Sequence, residues 1–215
     1  MKIPPQYDCH NLDEVNKFYT GRLPDSLFLD SNQFESLWEM HPSEYHVIRM
    51  HCGFVKTPRW QQAYARDYQY TGRVNRALPT PKLLEPLLSW AKQAIDEQLN
   101  GILVNWYEGK LGHSIGKHRD SLVGLVKDAP IVTISFGEER VFRLRPWHGK
   151  GHIDFPARQG SVFVEPFKTN LHWTHEVPAS KRFVGRRISV TLRAFVEHSS
   201  ESEERLPEIH NSLDR

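Results

Sequence analysis

Gly101–Tyr107, GILVNWY, opens the part of the chain where the hydrophobic period changes, and six more runs of the same kind follow it. They are PIVTISFG (Pro130–Gly137), RVFRLRP (Arg140–Pro146), GHIDFPA (Gly151–Ala157), GSVFVEP (Gly160–Pro166), LHWTHEV (Leu171–Val177) and RRISVTLRAF (Arg186–Phe195). Each is short and rich in Val, Ile, Phe or Thr. Gly, Pro and Asn separate them, and no helical pattern intervenes. Seven such runs in succession predict an antiparallel β-sandwich or jelly roll. Ahead of them the period is helical. Residues 81–99 keep Leu84, Leu87, Leu88, Ala91, Ala94, Ile95 and Leu99 on one stripe, with Thr80 as a candidate cap and Gly101 as the stop. Pro86 conflicts with a regular helix before it. A shorter helix is predicted over residues 32–40, capped by Asp30 or Ser31, and a strand over 46–50.

The expected fold class is therefore mainly β, with some α: a jelly-roll core supported by N-terminal helices. Residues 1–100 are read as helical support and substrate lid, 101–196 as the core and 197–215 as an acidic tail, all within one structural domain. The chain has 215 residues, 39% apolar and 25% charged, which suits a globular protein. No run approaches the ~18 apolar residues of a membrane span, and MKIPPQYDCH carries no signal-peptide core. Cys9 and Cys52 form no C-x-x-C pair, so no zinc ribbon or disulfide framework is expected, and a cytoplasmic monomer is the expectation. Net charge is +2 but unevenly spread: −5 over residues 1–45, +11 over 46–196 and −4 over 197–215. A basic body with acidic ends suits a polyanion or a small anion.

Twelve histidines raise the prospect of a metal site of two His and one carboxylate, which leaves coordination positions open for substrates. The local pattern His-x-Asp occurs twice, as His118-Arg-Asp120 and His152-Ile-Asp154. Chance alone predicts roughly 1.5 His-x-acid occurrences at this composition. Spacing separates the two. His118 and Asp120 follow the strand GILVNWY in a Gly-rich segment, with four β-like runs before the next His pair. His152 and Asp154 lie in a strand-like run about 20 residues before His175, too close to cross the roll and return, and read as surface residues. The distal ligand is His172 or His175. On one strand they would face opposite sides, and periodicity does not choose between them. His113 reads as a loop histidine.

NWYEGKLGHSIGKHRD, PIVTISFGEERVFRLR, HWTHEV and RRISVTLRAF together resemble the AlkB-type Fe(II)/2-oxoglutarate dioxygenases, over about Pro58 to Phe195. The resemblance implies a double-stranded β-helix and a metal triad of His118, Asp120 and His175, with His172 beside it. It also implies Fe(II), 2-oxoglutarate and O2 as cofactor and cosubstrates, and hydroxylation of a C–H bond so that an N-methyl group leaves as formaldehyde.

The cosubstrate residues have a reading of their own. Arg187, Ser189, Thr191 and Arg193 alternate, so a strand projects all four to one face and Arg186 to the other. Two arginines facing inward are costly unless they meet an anion, and a guanidinium matches a carboxylate. The family motif is similar but has Asn where Ser189 stands. Asn105 and Tyr107 share a face and match the family's cosubstrate contacts. TPRWQQAYARDYQYTGR, residues 57–73, interleaves arginine with aromatics, as stacked bases and phosphates require. Arg59, Tyr68 and Tyr70 align with substrate-side positions of the family, which implies alkylated DNA or RNA as partner. One departure opposes this. Related repair enzymes carry acidic residues after His-x-Asp, and here Ser121 and Leu122 follow Asp120. A small metabolite or a protein side chain is the alternative substrate.

Overall fold

The computed structural model describes residues 1–50, 53–70 and 73–196. The acidic tail expected over 197–215 lies outside them. The strands are β1 (Asp8–Asn11), β2 (Lys17–Arg22), β3 (Val47–Met50), β4 (Gly53–Lys56), β5 (Trp60–Tyr64), β6 (Tyr68–Tyr70), β7 (Arg73–Asn75) and β8 (Gly101–Glu108). The roll continues with β9 (Ile115–His118), β10 (Ile131–Gly137), β11 (Arg140–Pro146), β12 (Ile153–Ala157), β13 (Ser161–Glu165), β14 (Trp173–Val177) and β15 (Arg186–Arg193). Three helices interrupt them: α1 (Ser31–Trp38), α2 (Glu85–Ala94) and α3 (Phe167–His172).

Two antiparallel sheets form the jelly roll. The larger has the order β1-β2-β13-β10-β15-β8-β5 and the smaller β12-β11-β14-β9. Because side chains alternate, the larger sheet has two different faces. Its outer face carries Val104, Trp106, Ile134, Phe136, Ile188, Val190 and Leu192, all buried beneath α1 and α2. Trp106 is fully buried and its indole N–H donates to the Leu37 carbonyl at 2.8 Å, so the ring brings apolar area without an unpaired donor. Truncating it to Ala would cost about 3–5 kcal/mol. The inner face is polar over β5, β8, β15 and β10. Gln61 pairs with Asn105, Asn105 with Ser189, and Ser189 with Ser135.

The helices differ in detail from the periodic reading. Asp30 caps α1 through a reciprocal capping box with Gln33, as the sequence suggested. The second helix starts only at Glu85 and stops at Ala94, shorter at both ends than 81–99. Pro86 falls in its first turn, where a missing N–H costs nothing, and Leu84 rather than Thr80 precedes it. Residues 1–100 are also less helical than expected. They hold seven strands, and β1, β2 and β5 join the larger sheet. LHWTHEV is not one strand: after Pro166 the chain makes α3, which ends at His172, and only Trp173–Val177 extends. Gly137 turns the chain from β10 to β11 at φ +84°, and a Cβ there would collide with the Arg186 carbonyl.

Candidate metal and cosubstrate site

A cavity of about 250 Å³ lies between the two sheets. All twelve residues singled out for metal, cosubstrate or substrate line it. The cross-strand register explains how the histidines meet. His118 on β9 lies directly opposite His175 on β14, so both rings point the same way, with centroids 4.4 Å apart. Asp120 follows β9 by two residues. Its backbone N–H donates to Asn170 Oδ1 at 2.8 Å, and Asn170 Nδ2 donates to the Asp120 carbonyl at 3.1 Å. Asn170 on α3 thus pins the Asp120 backbone in place, a contact that no sequence signal announced.

The candidate ligand atoms of His118, Asp120 and His175 all lie within 4.8 Å of one another, and among the described residues this is the one such group. Each histidine turns Nε2 toward Asp120 Oδ1, at 3.9 Å in both cases. The other ring nitrogens have oxygen neighbours. Nδ1 of His118 donates to the Gly116 carbonyl at 2.8 Å, and Nδ1 of His175 sits 3.1 Å from Glu165 Oε2, out of hydrogen-bond alignment. A hydrogen bond like that of His118 holds an imidazole in the orientation and tautomer that a metal needs. Loss of water around the ring and the nearby His175 lower the His118 pKa, which favours the neutral, ligating form. Burial opposes a charge on His175, but the Glu165 carboxylate outweighs it and the pKa is raised.

Asp120 divides its two oxygens. Oδ2 accepts from Arg193 Nε at 2.9 Å and Nη2 at 2.6 Å, and Oδ1 accepts from Tyr68 Oη at 3.1 Å while facing the histidines. Burial would raise the Asp120 pKa, but Arg193 and the two histidines hold it well below the usual carboxylate range. Arg193 lines the same cavity as Arg187, as their shared face suggested, and gives its Nε and Nη2 groups to Asp120. Tyr68 likewise lies closer to this carboxylate than a purely substrate-side residue would, with the Arg193 guanidinium 4.4 Å from its ring centre.

Arg187 is different. It is fully buried over the Tyr107 ring, donates from Nη2 to Ser135 Oγ at 2.8 Å, and has no partner for Nε or Nη1. A buried cation with two orphaned donors, aimed into a cavity, fits a carboxylate. Asn105, by contrast, accepts from Arg59 Nε at 2.8 Å. Gln61 accepts from Arg59 Nη2 at 3.0 Å and contacts the Tyr70 hydroxyl. Gln61 was not anticipated. Its signal was the alternation in WQQAY, which puts it in the same row as Asn105.

The other histidines and the acid that the sequence singled out lie outside the cavity. His113 is buried but bonded to Tyr45 Oη at 2.9 Å and to the Glu108 N–H. His172 bonds Asn16 Oδ1 at 3.1 Å from the end of α3. His152 is exposed, and Asp154 pairs with Arg143 on the outer surface at 2.6 and 2.7 Å.

A family model described as the 2OG-Fe(II) oxygenase superfamily matches residues 23–193. The chain is 30% identical over 147 residues to the DNA oxidative demethylase ALKBH2 of Homo sapiens, covering 63% of this chain and 56% of that protein. It is 28% identical over 128 residues to the alpha-ketoglutarate-dependent dioxygenase alkB homolog 3 of Rattus norvegicus, covering 54% and 43%. It thus spans about half the length of the curated relatives it matches. The solved structure of OsALKBH1 superimposes with a TM-score of 0.56 at 12% identity, over 86% of this chain and 99% of that one, a likeness of fold.

Proposed function

This chain belongs to the 2OG-Fe(II) oxygenase superfamily, and we propose that it is an AlkB-like oxidative demethylase acting on alkylated nucleobases in DNA. The observation that carries the reading is the convergence in one cavity of a His/Asp/His donor set, a buried arginine with unmet donors, and an arginine–amide–tyrosine layer above them. His118, Asp120 and His175 would hold the ferrous ion, since two imidazoles and one carboxylate on one side are the donor set it takes. Arg187 would hold the tail carboxylate of 2-oxoglutarate, with Ser189, Thr191 and Tyr107 around it. Bound iron, 2-oxoglutarate and O2 together supply an oxidation that turns the cosubstrate into succinate and carbon dioxide and hydroxylates the N-alkyl carbon, which leaves as formaldehyde.

The chain's own residues do the rest. Arg193 and Tyr68 keep Asp120 ionised and aim Oδ1 at the metal position. Asn105 and Gln61 fix the guanidinium plane of Arg59 at the substrate side. Tyr70, partly buried and stacked on Tyr68 with ring centres 5.5 Å apart, offers an aromatic surface to a base. Beyond the cavity, the hairpin of β3 and β4 connects to this lid through Arg73, which donates to the Val47 carbonyl at 2.9 Å, and through His46, whose Nδ1 meets Tyr70 Oη at 3.2 Å. That hairpin carries Phe54 at 79% exposure, flanked by Arg49 and Lys56. An aromatic side chain presented to solvent between basic neighbours suits contact with bases and phosphates. No helix among the described residues is long and apolar enough to cross a membrane.

The test is stoichiometric. With Fe(II), 2-oxoglutarate and O2, a methylated oligonucleotide should yield succinate, formaldehyde and restored base in equal amounts. Robust turnover of a small amine, with no repair of any methylated oligonucleotide at low salt, would overturn the nucleic-acid reading and leave the oxygenase chemistry standing.

A further inference from the structure

The charges lining the cavity bear on which alkylated bases it takes, an inference that rests on the nucleobase reading above. Four arginines line the cavity, Arg59, Arg119, Arg187 and Arg193, against one carboxylate, Asp120. Asp120 is fully engaged: Arg193 occupies Oδ2, and Tyr68 and the two histidines surround Oδ1. Arg187 lies deep, where the cosubstrate's carboxylate would meet it. Arg119 is drawn aside, donating to the Leu171 carbonyl at 2.7 Å and lying 4.2 Å from the Trp147 ring centre.

Arg59 is left as the cation of the substrate side. It is buried, and both acceptors it reaches are neutral amide oxygens, those of Asn105 and Gln61. They orient the guanidinium without cancelling its charge, and its remaining N–H groups have no bond among the described residues. The segment leaving Asp120 adds no anion. Ser121 lines the cavity with a hydroxyl, and Leu122 stands beside it, 44% exposed.

This distribution of charge discriminates between two kinds of lesion. Alkylation at N1 of adenine or N3 of cytosine makes the base a cation, which a guanidinium in a poorly screened cavity repels. Alkylation at a lactam nitrogen, N1 of guanine or N3 of thymine, leaves the base neutral with a carbonyl oxygen next to the alkylated atom. That oxygen is an acceptor for Arg59, and a buried donor left unmet by the wrong base is a strong discriminator. We propose that the cavity selects neutral, lactam-type N-alkylated bases over cationic ones, with Arg59 donating to the lactam carbonyl as the specificity-determining contact.

The experiment uses the full chain with Fe(II) and 2-oxoglutarate, and four otherwise identical oligonucleotides carrying N1-methylguanine, N3-methylthymine, N1-methyladenine or N3-methylcytosine. Base restoration is followed by mass spectrometry. The neutral pair should exceed the cationic pair in kcat/KM by about 10- to 100-fold, the worth of one charge-assisted hydrogen bond. Ser121→Asp, at a half-buried position that lines the cavity, should narrow the ratio by about 10-fold by adding an anion to that wall. Arg59→Met should lower turnover of the neutral pair by about 10- to 100-fold and raise that of the cationic pair, whose repulsion it removes. Equal or better turnover of the cationic bases by the wild type, an unchanged ratio in Ser121→Asp, or an equal loss of both classes in Arg59→Met would each overturn the proposal while leaving the demethylase reading intact. Failure on all four lesions alongside turnover of a small amine would overturn the demethylase reading itself.

Discussion

Replacing Arg187 by Met should remove 2-oxoglutarate binding while leaving the fold at least as stable as before. The side chain is 0% exposed, and its Nε and Nη1 have no partner in the protein. Burial lowers its pKa from the ordinary value, but a guanidinium stays charged at any working pH. Without the cosubstrate the protein thus carries a buried cation with no acid beside it, and an apolar side chain of similar length relieves that cost. With the cosubstrate, the variant loses a two-pronged, charge-assisted contact and leaves a carboxylate buried without its partner. Truncating one member of a buried pair costs about 3–5 kcal/mol, several hundred-fold or more in Kd. Thermal unfolding with Mn(II) in place of iron, without and with 2-oxoglutarate, reads both effects at once. Cosubstrate at a hundred times the wild-type Kd should stabilise the wild type by about 2.7 kcal/mol and the variant by almost nothing. Arg186→Met is the control, because Arg186 points away and pairs with Glu35 on the surface at 2.8 Å. An unchanged cosubstrate-induced shift in Arg187→Met, or an equal loss in Arg186→Met, would refute the assignment of the strand faces.

Two further outcomes follow from the geometry. His118→Ala, Asp120→Ala and His175→Ala should each abolish metal binding, seen by calorimetry with Mn(II), whereas His152→Ala and Asp154→Ala should retain it, since both lie on the surface, where Asp154 pairs with Arg143 and such pairs contribute about 0–1 kcal/mol. Binding to a single-stranded methylated oligonucleotide should fall with salt at a log–log slope near −0.7 per neutralised phosphate, and Phe54→Ala should weaken it by about 1–3 kcal/mol without changing the Kd for 2-oxoglutarate; a flat salt response, or an unaffected Phe54→Ala, speaks against an extended nucleic-acid contact.

The strands of the roll were legible because each is short, β-branched and bounded by Gly or Pro, and because the faces of β8 and β15 alternate cleanly. Where the sequence misled, a tertiary contact had replaced the local rule. Residues 167–172 have no alternation to hold them extended, and as α3 they let Thr169 bond the Lys17 carbonyl and Asn170 bond Asp120. β9 holds only Ile115–His118, with an isoleucine as its lone apolar residue, and it exists through its pairing with β14 rather than through propensity. The second helix lost its first turn because Pro81 and Pro86 cannot both lie in one regular helix. Ile95 and Leu99, read as its last turns, are buried in the same core without being helical.

The site was legible one strand at a time and illegible between strands. Alternation in RRISVTLR shows that Arg187 and Arg193 share a face, and both do line the cavity. It does not show what each faces across the cavity. The two lie six residues apart on a strand, about 20 Å at ~3.3 Å per residue, so they reach different ends of the site. Arg193 ends opposite Gly101, near where Asp120 enters, and closes on that carboxylate; Arg187 ends opposite Tyr107, where no acid stands. The same motif therefore yields one arginine that is neutralised by the protein and one that only a ligand can neutralise. On the proposed assignment, that asymmetry distinguishes the arginine that positions the metal-side carboxylate from the one that awaits the cosubstrate. On that assignment, metal affinity should respond to Arg193 through Asp120, and 2-oxoglutarate affinity should respond most to Arg187, whose charge has no acid beside it.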